Sequence, residues 1–229
     1  MKKLLFIFSF IFTIHVNANC LKDIFSVGVG ATSSEFELEE SVGKSSINSN
    51  YGLNVLGQWV LFCPKRKLEV LNEIELRNYK FEATSSMDES VLLFNVKSTI
   101  AYLYRPRLEA LFKISLEEDL YFKRNIETGQ LVNSDDYSLN LLVGAKFDAI
   151  KIKKSNIYLR LLAGPRFSFS DYSKGVGRIF EIGAGTIYKI AKFRSLSLNL
   201  YYKNIYEKMD SLKQNNKDLT FNTVFLVKF

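Results

Sequence analysis

Histidine is nearly missing from this chain. Its 229 residues hold one, His15, and it lies in the apolar N-terminal run. A serine or cysteine nucleophile normally needs a histidine base, so the chain beyond residue 18 lacks the usual machinery of a hydrolase. The two cysteines, Cys20 and Cys63, are too few for a cysteine-rich zinc centre. No acidic spacing resembles a calcium loop, and no glycine spacing resembles a phosphate loop. The acidic pairs Glu39-Glu40 and Asp135-Asp136 fit solvated loops better than a catalytic dyad. No cofactor or metal is therefore expected. Beyond the N-terminal run, no apolar stretch approaches the roughly 20 residues of a membrane-spanning helix. With only three prolines and little low-complexity sequence, one ordered unit is expected.

Residues 1–18 read as a secretory signal peptide. Lys2 and Lys3 form its charged start, Leu4 to Ile14 its apolar run, and Val16-Asn17-Ala18 its small-residue cleavage site. Cleavage there leaves 19–229 as a single domain. Lipoprotein processing at Cys20 is the alternative, although Asn19 is a poor residue before an acylated cysteine. Loss of Lys2 and Lys3 lowers the formal charge from +7 to +5. That moderate value, on an exported chain, argues for no nucleic-acid partner. Export also places both cysteines in an oxidising compartment.

The remainder alternates apolar and polar residues with a period of two, the mark of β-strands with one greasy face. Ten strands are expected, near residues 23–34, 49–62, 68–83, 91–105, 108–123, 136–149, 156–170, 178–190, 196–207 and 219–229. An eight-stranded arrangement with longer loops is the alternative. Tyr137, Leu139, Leu141, Val143, Ala145 and Phe147 oppose Ser138, Asn140, Gly144, Lys146 and Asp148. The pattern slips near Arg77–Asn78, where a β-bulge would return Tyr79 and Phe81 to the apolar face. Breaks after even-numbered strands are short and basic, such as Pro64-Lys65-Arg66-Lys67 and Arg105-Pro106-Arg107. Those after odd-numbered strands are longer and often acidic.

The last eleven residues alternate strictly and stop on Phe229, with Phe225 and Val227 on the same side. A terminal strand ending on an aromatic resembles the assembly signal of small bacterial outer-membrane β-barrels, the porin-like and opacity-type group. The export signal and the alternation carry the same resemblance. It implies an all-β fold, a transmembrane antiparallel up-and-down β-barrel. The partners it implies are outer-membrane lipids and the barrel assembly machinery, with a monomer favoured. Short turns then face the periplasm and long loops the outside. Barrel enzymes of the outer membrane rely on a histidine, so the resemblance implies no enzymatic activity here.

On this reading the apolar face meets lipid. Aromatic residues fall in two bands on it: Tyr51, Phe81, Phe94, Phe122, Tyr137, Phe169, Phe180, Tyr206 and Phe221 outside, and Phe25, Trp59, Tyr102, Tyr104, Phe147, Tyr188 and Phe229 at the periplasmic end. Inward would point a mixed charge cluster of Glu73, Glu75, Arg77, Lys97, Arg105, Lys113, Glu117, Arg160 and Arg166. Both signs in comparable numbers suit paired charges filling a lumen better than a ring of one sign selecting ions. Gly28, Gly30, Gly183 and Gly185 would make room there. Cys20 and Cys63 would reach the same periplasmic rim, close enough for a disulfide. Three functions follow. The first is a non-enzymatic barrel that stabilises the envelope or presents loops. The second is a small transport barrel for a hydrophobic or small polar solute. The third is a soluble periplasmic lipocalin-like binder with the faces reversed.

Overall fold

Strands that span a bilayer must pair on both edges, because lipid offers no partner for an open backbone edge. The computed structural model of the chain meets this by closure. It describes residues 22–40, 43–49, 51–64, 67–81, 90–124, 131–169, 174–192, 194–209 and 212–228. Eleven strands form: β1 (Lys22–Glu40), β2 (Gly43–Asn48), β3 (Tyr51–Cys63), β4 (Leu68–Lys80), β5 (Ser90–Arg105), β6 (Leu108–Arg124), β7 (Leu131–Ile152), β8 (Ser155–Phe169), β9 (Lys174–Ala191), β10 (Arg194–Met209) and β11 (Leu212–Lys228). Ten of them, β1 and β3 to β11, pair antiparallel in chain order, and β11 closes on β1. The short β2 folds back on the outer end of β1, from Glu35↔Asn48 to Glu40↔Gly43. There is no α-helix among the described residues. The fold is thus the closed ten-stranded up-and-down barrel, not the eight-stranded alternative.

The faces follow the alternation. Phe25, Val27 and Val29 of β1, Tyr51, Leu53 and Val55 of β3, and Leu198 and Leu200 of β10 project outward and are exposed. Their inward neighbours Ser26, Thr32, Asn54, Leu56, Ser197 and Asn199 are buried. A polar interior with an apolar exterior is the arrangement of a membrane barrel and the reverse of a lipocalin. Tyr137 and Phe147 mark the two ends of the apolar band on β7. Ten residues of strand, about 33 Å at a tilt near 40°, give roughly 25 Å of height.

Several strands outrun that band. At 19 and 22 residues, β1 and β7 are longer than the 9–11 or so that a tilted strand needs to cross. Much of what sequence suggested as acidic loop, in 35–48, 131–135 and 212–218, is therefore strand standing above the membrane. There the β1–β11 ladder runs on to Glu39↔Lys213. Lys217 Nζ (2.5 Å) and Asn215 Nδ2 (2.8 Å) donate to Glu37 and hold its carboxyl below the usual carboxylate range. That contribution is present at neutral pH and is lost as pH falls through the lowered value.

Three register shifts, at Leu103/Arg105, Asp148/Ile150 and Arg194/Ser195, sit at the periplasmic rim, where the turns are tight. The β7–β8 ladder skips Leu141 and Leu142 opposite Gly164-Pro165, because proline has no N–H to give. The bulge expected near Arg77–Asn78 does not form: β4 runs in unbroken register with β3 and β5. Tyr79 and Phe81 consequently stay in phase with Glu75 and Arg77 and point into the lumen, not to lipid.

Candidate functional site

The lumen is the site, and it is filled in two layers. In the middle, Glu75 of β4 is fully enclosed and surrounded by donors. Lys97 Nζ (2.5 Å), Asn54 Nδ2 (2.8 Å), Arg77 Nη2 (3.0 Å) and Asn95 Nδ2 (3.3 Å) all give it hydrogen bonds. These donors come from β3, β4 and β5, which register brings side by side at Asn54↔Arg77 and Glu75↔Asn95. Lys97 also reaches Glu73 at 3.0 Å, and Arg77 Nη1 reaches Asp218 at 3.2 Å on β11. Across the lumen Lys113 pairs with Glu181 at 2.7 Å, Arg160 stands 3.7 Å from the same carboxylate, and Lys203 pairs with Glu117.

This belt encloses a cavity of about 80 Å³. Arg77, Lys97, Lys113, Arg160 and Lys203 face Glu73, Glu75, Glu117, Glu181 and Asp218, so each sign is matched. A buried ion pair contributes little net stability, because both ions must first be desolvated, but leaving one partner alone is costly. The belt therefore acts as a mutually dependent plug.

A second polar cluster lies on the opposite wall. Arg166 of β8 is fully buried, 2.6 Å from Asp119 and 2.8 Å from Glu207, and donates to the Tyr121 hydroxyl at 2.7 Å. Above both clusters the lumen turns apolar. Phe36, Leu38, Tyr79, Phe81, Leu93, Leu120 and Phe122 pack into one core, with Phe36 and Phe122 ring centroids 4.9 Å apart. Phe81 and Phe122, expected in the outer lipid-facing band, are thus interior residues; Phe122 has no exposed surface. Towards the periplasm a vestibule of about 130 Å³ opens between Val60, Leu71, Lys146, Tyr158 and Leu226.

Of the expected charge cluster, Glu73, Glu75, Arg77, Lys97, Lys113, Glu117 and Arg160 line the central cavity, and Arg166 anchors the second cluster. Arg105 does not belong. The register shift at Leu103/Arg105 turns it out at the rim, where it lies exposed over the Tyr104 ring at 5.5 Å. Cys63 ends β3 at the periplasmic rim and is not a free thiol; Cys20, its expected partner, lies outside the described residues. Phe225 and Val227 face outward on β11, paired with Val27 and Phe25, and Phe229 lies outside the described residues. Sequence reading missed Asp218 and Gln214, which sit between two expected strands in a stretch without an apolar face, and Glu207, at the end of the expected strand 196–207. It also missed Tyr201, whose ring carries Arg160 at 4.4 Å.

The inward glycines are sites of close approach. A Cβ on Gly30 would lie 2.0 Å from Asn222 Oδ1 and 2.3 Å from Asn54 Oδ1, and one on Gly183 2.3 Å from the Tyr201 ring. Gly30→Val therefore displaces Asn54 from Glu75 and breaks its bond to Asn222, and destabilises the barrel by about 2 kcal/mol or more. A lowered urea midpoint for vesicle-inserted protein checks this, and an unchanged midpoint contradicts it.

Comparison with solved structures places the fold among outer-membrane barrels. The chain is similar to the outer membrane protease OmpT from Escherichia coli, with TM-score 0.56 and 7% identity over 93% of this chain and 99% of that one. It is also similar to an outer membrane channel from Pseudomonas putida F1, with TM-score 0.50 and 9% identity over 93% and 97%. At such identities the likeness is one of architecture. No protein-family model matches the sequence, and no curated protein matches it.

Proposed function

We propose that this is a non-enzymatic, closed barrel of the outer membrane, which stabilises the envelope and carries strand extensions above its surface. The observation behind this reading is the doubly sealed lumen. A charge-matched belt around about 80 Å³ lies beneath an apolar core that leaves Phe122 no exposed surface. The only histidine in the sequence is His15, within the proposed signal peptide. Among the described residues no group of acids, cysteines and histidines is placed to hold a metal. Lipids meet the outward face, and the barrel assembly machinery reads the C-terminal sequence through Phe225, Val227 and Phe229. The cleaved chain, 19–229, works as a monomer, since β11 pairs with β1 and closes the barrel without a second copy.

Planar-bilayer recording tests it. The folded protein, verified by heat-modifiable migration on gels, is expected to give no single-channel steps. Steady conductance from the unmodified barrel would favour the transport reading instead. Material that stays soluble without detergent would overturn both.

A further inference from the structure

The barrel wall is split between β5 and β6. Their ladder ends at Asn95↔Glu117. Yet β5 runs on to Ser90 in register with β4, and β6 runs on to Arg124 in register with β7. Open backbone groups at membrane depth are costly, and three of them here, Phe94 N–H, Phe122 N–H and Leu120 C=O, have substitute partners. Phe94 N–H donates to Glu118 Oε2 at 2.6 Å. Gln214 of β11, from across the lumen, accepts from Phe122 N–H at 3.1 Å and donates through Nε2 to Leu120 O at 2.7 Å. The outer end of β6 is thus tucked into the barrel and held by a side chain where a neighbouring strand would normally stand.

The tucked segment keeps a pattern suited to a different place. Leu120 and Phe122 continue the phase of Phe112, Ile114 and Leu116, the outward side of β6, but are buried among Phe36, Tyr79, Phe81 and Leu93. Continuing the β5–β6 register unchanged would set Leu120 opposite Leu92 and Phe122 opposite Ser90. Leu92 now stands 62% exposed. In that zipped arrangement β5 supplies the backbone partners, and Leu120 and Phe122 face lipid in the outer aromatic band.

We propose that residues 118–124 of β6 form a two-position gate, tucked as seen or zipped onto β5, and that the pocket vacated on zipping takes one hydrocarbon chain from the outer leaflet. Position supports a lipid chain as occupant. Glu118 at the fork pairs with Tyr137, and Tyr137 with Phe169, so the slot opens at the depth of the outer aromatic band. The pocket walls that remain, Phe36, Leu38, Tyr79, Phe81 and Leu93, are apolar, and Leu120 and Phe122 fill it in the chain's place. Zipping leaves the Glu75 belt below untouched, so the proposal does not depend on whether the lumen conducts; it withdraws Asp119 and Tyr121 from Arg166, which keeps Glu207 as its buried carboxylate partner.

Engineered cysteine pairs in full-length protein, inserted in outer-membrane vesicles, test this. Residues facing each other across an antiparallel pair lie about 4.5–5.5 Å apart, within disulfide reach. Leu92→Cys with Leu120→Cys reports the zipped position and Val96→Cys with Leu116→Cys the existing ladder as control; Phe36→Cys with Phe122→Cys, bridged by a short bis-thiol-reactive linker because only the native rings meet, reports the tucked one. Linked peptides are quantified by mass spectrometry. The 92–120 and 36–122 variants are each expected to cross-link in part. Added dodecanoate should raise the 92–120 yield severalfold and lower the 36–122 yield. Gln214→Leu should raise the ratio of zipped to tucked by about tenfold, because it removes both substitute hydrogen bonds. A 92–120 pair that never forms while the 96–116 control does overturns the gate. Yields indifferent to Gln214→Leu overturn it as well, and yields indifferent to dodecanoate overturn the lipid site.

Discussion

Replacing Arg166 by alanine is expected to destabilise the barrel by about 3–5 kcal/mol, the usual cost of stranding a buried charge. The guanidinium is completely enclosed and holds Asp119 at 2.6 Å, Glu207 at 2.8 Å and the Tyr121 hydroxyl at 2.7 Å. Its removal leaves two carboxylates facing each other without a cation, and water cannot reach them freely. Ser168 also donates to Glu207 and is hydrogen-bonded to the Tyr121 hydroxyl, so the loss spreads over β6, β8 and β10. Arg166→Lys should recover only part of the stability, because an ammonium cannot serve three directions from one plane. Arg166→Leu combined with Glu207→Gln and Asp119→Asn should recover more, by removing the charges together. Urea unfolding of vesicle-inserted protein, followed through the single Trp59, gives the numbers. If Arg166→Ala unfolds at the same urea concentration as the parent, the cluster is solvated and the argument fails.

The contrast between Arg166 and Phe122 shows what alternation can and cannot tell. Arg166 is a charge in phase with Leu162 and Ser168, on strands whose other face is apolar, so a membrane setting forces it inward. The same logic places Glu75, Lys97 and Lys113. Phe36, Tyr79, Phe81 and Phe122 lie where the lumen itself becomes apolar. There a period of two no longer separates inside from outside, since both sides accept an aromatic ring. Tyr79 and Phe81 thus looked like residues needing a bulge to reach lipid, when an unbroken strand carries them inward. Phe122 is in the outward phase and is buried because the strand itself leaves the wall, an event that depends on Gln214 from a strand far away in sequence. Gln214 and Asp218 were invisible for a third reason, whereas Glu207 stands at the very end of the expected strand 196–207. Above the membrane neither face of a strand meets lipid, the hydrophobic period vanishes, and paired polar strand reads as loop.

The two seals lie in series along one lumen, and this decides how conductance responds to mutation. Removing the centre of the belt with Glu75→Ala and Lys97→Ala together keeps the remaining charges matched in number: Arg77, Lys113, Arg160 and Lys203 against Asp218, Glu181, Glu117 and Glu73. Current still has to pass the apolar core above, so this variant alone is expected to stay silent. Phe36→Ala with Phe122→Ala, which hollows out that core, should also stay silent, blocked by the belt. The four substitutions together should give resolved single-channel steps. Ion preference then reports the belt. In the core-opened background, Glu75→Ala alone leaves an unmatched cation among Arg77 and Lys97 and should shift the reversal potential towards anions. Lys97→Ala alone leaves Glu73 and Glu75 in excess and should shift it towards cations. Conduction by either double variant alone would show that its counterpart does not close the lumen. A reversal potential of the same sign in both single-charge variants would show that ions bypass the belt, since charges lining the path must act on opposite ions.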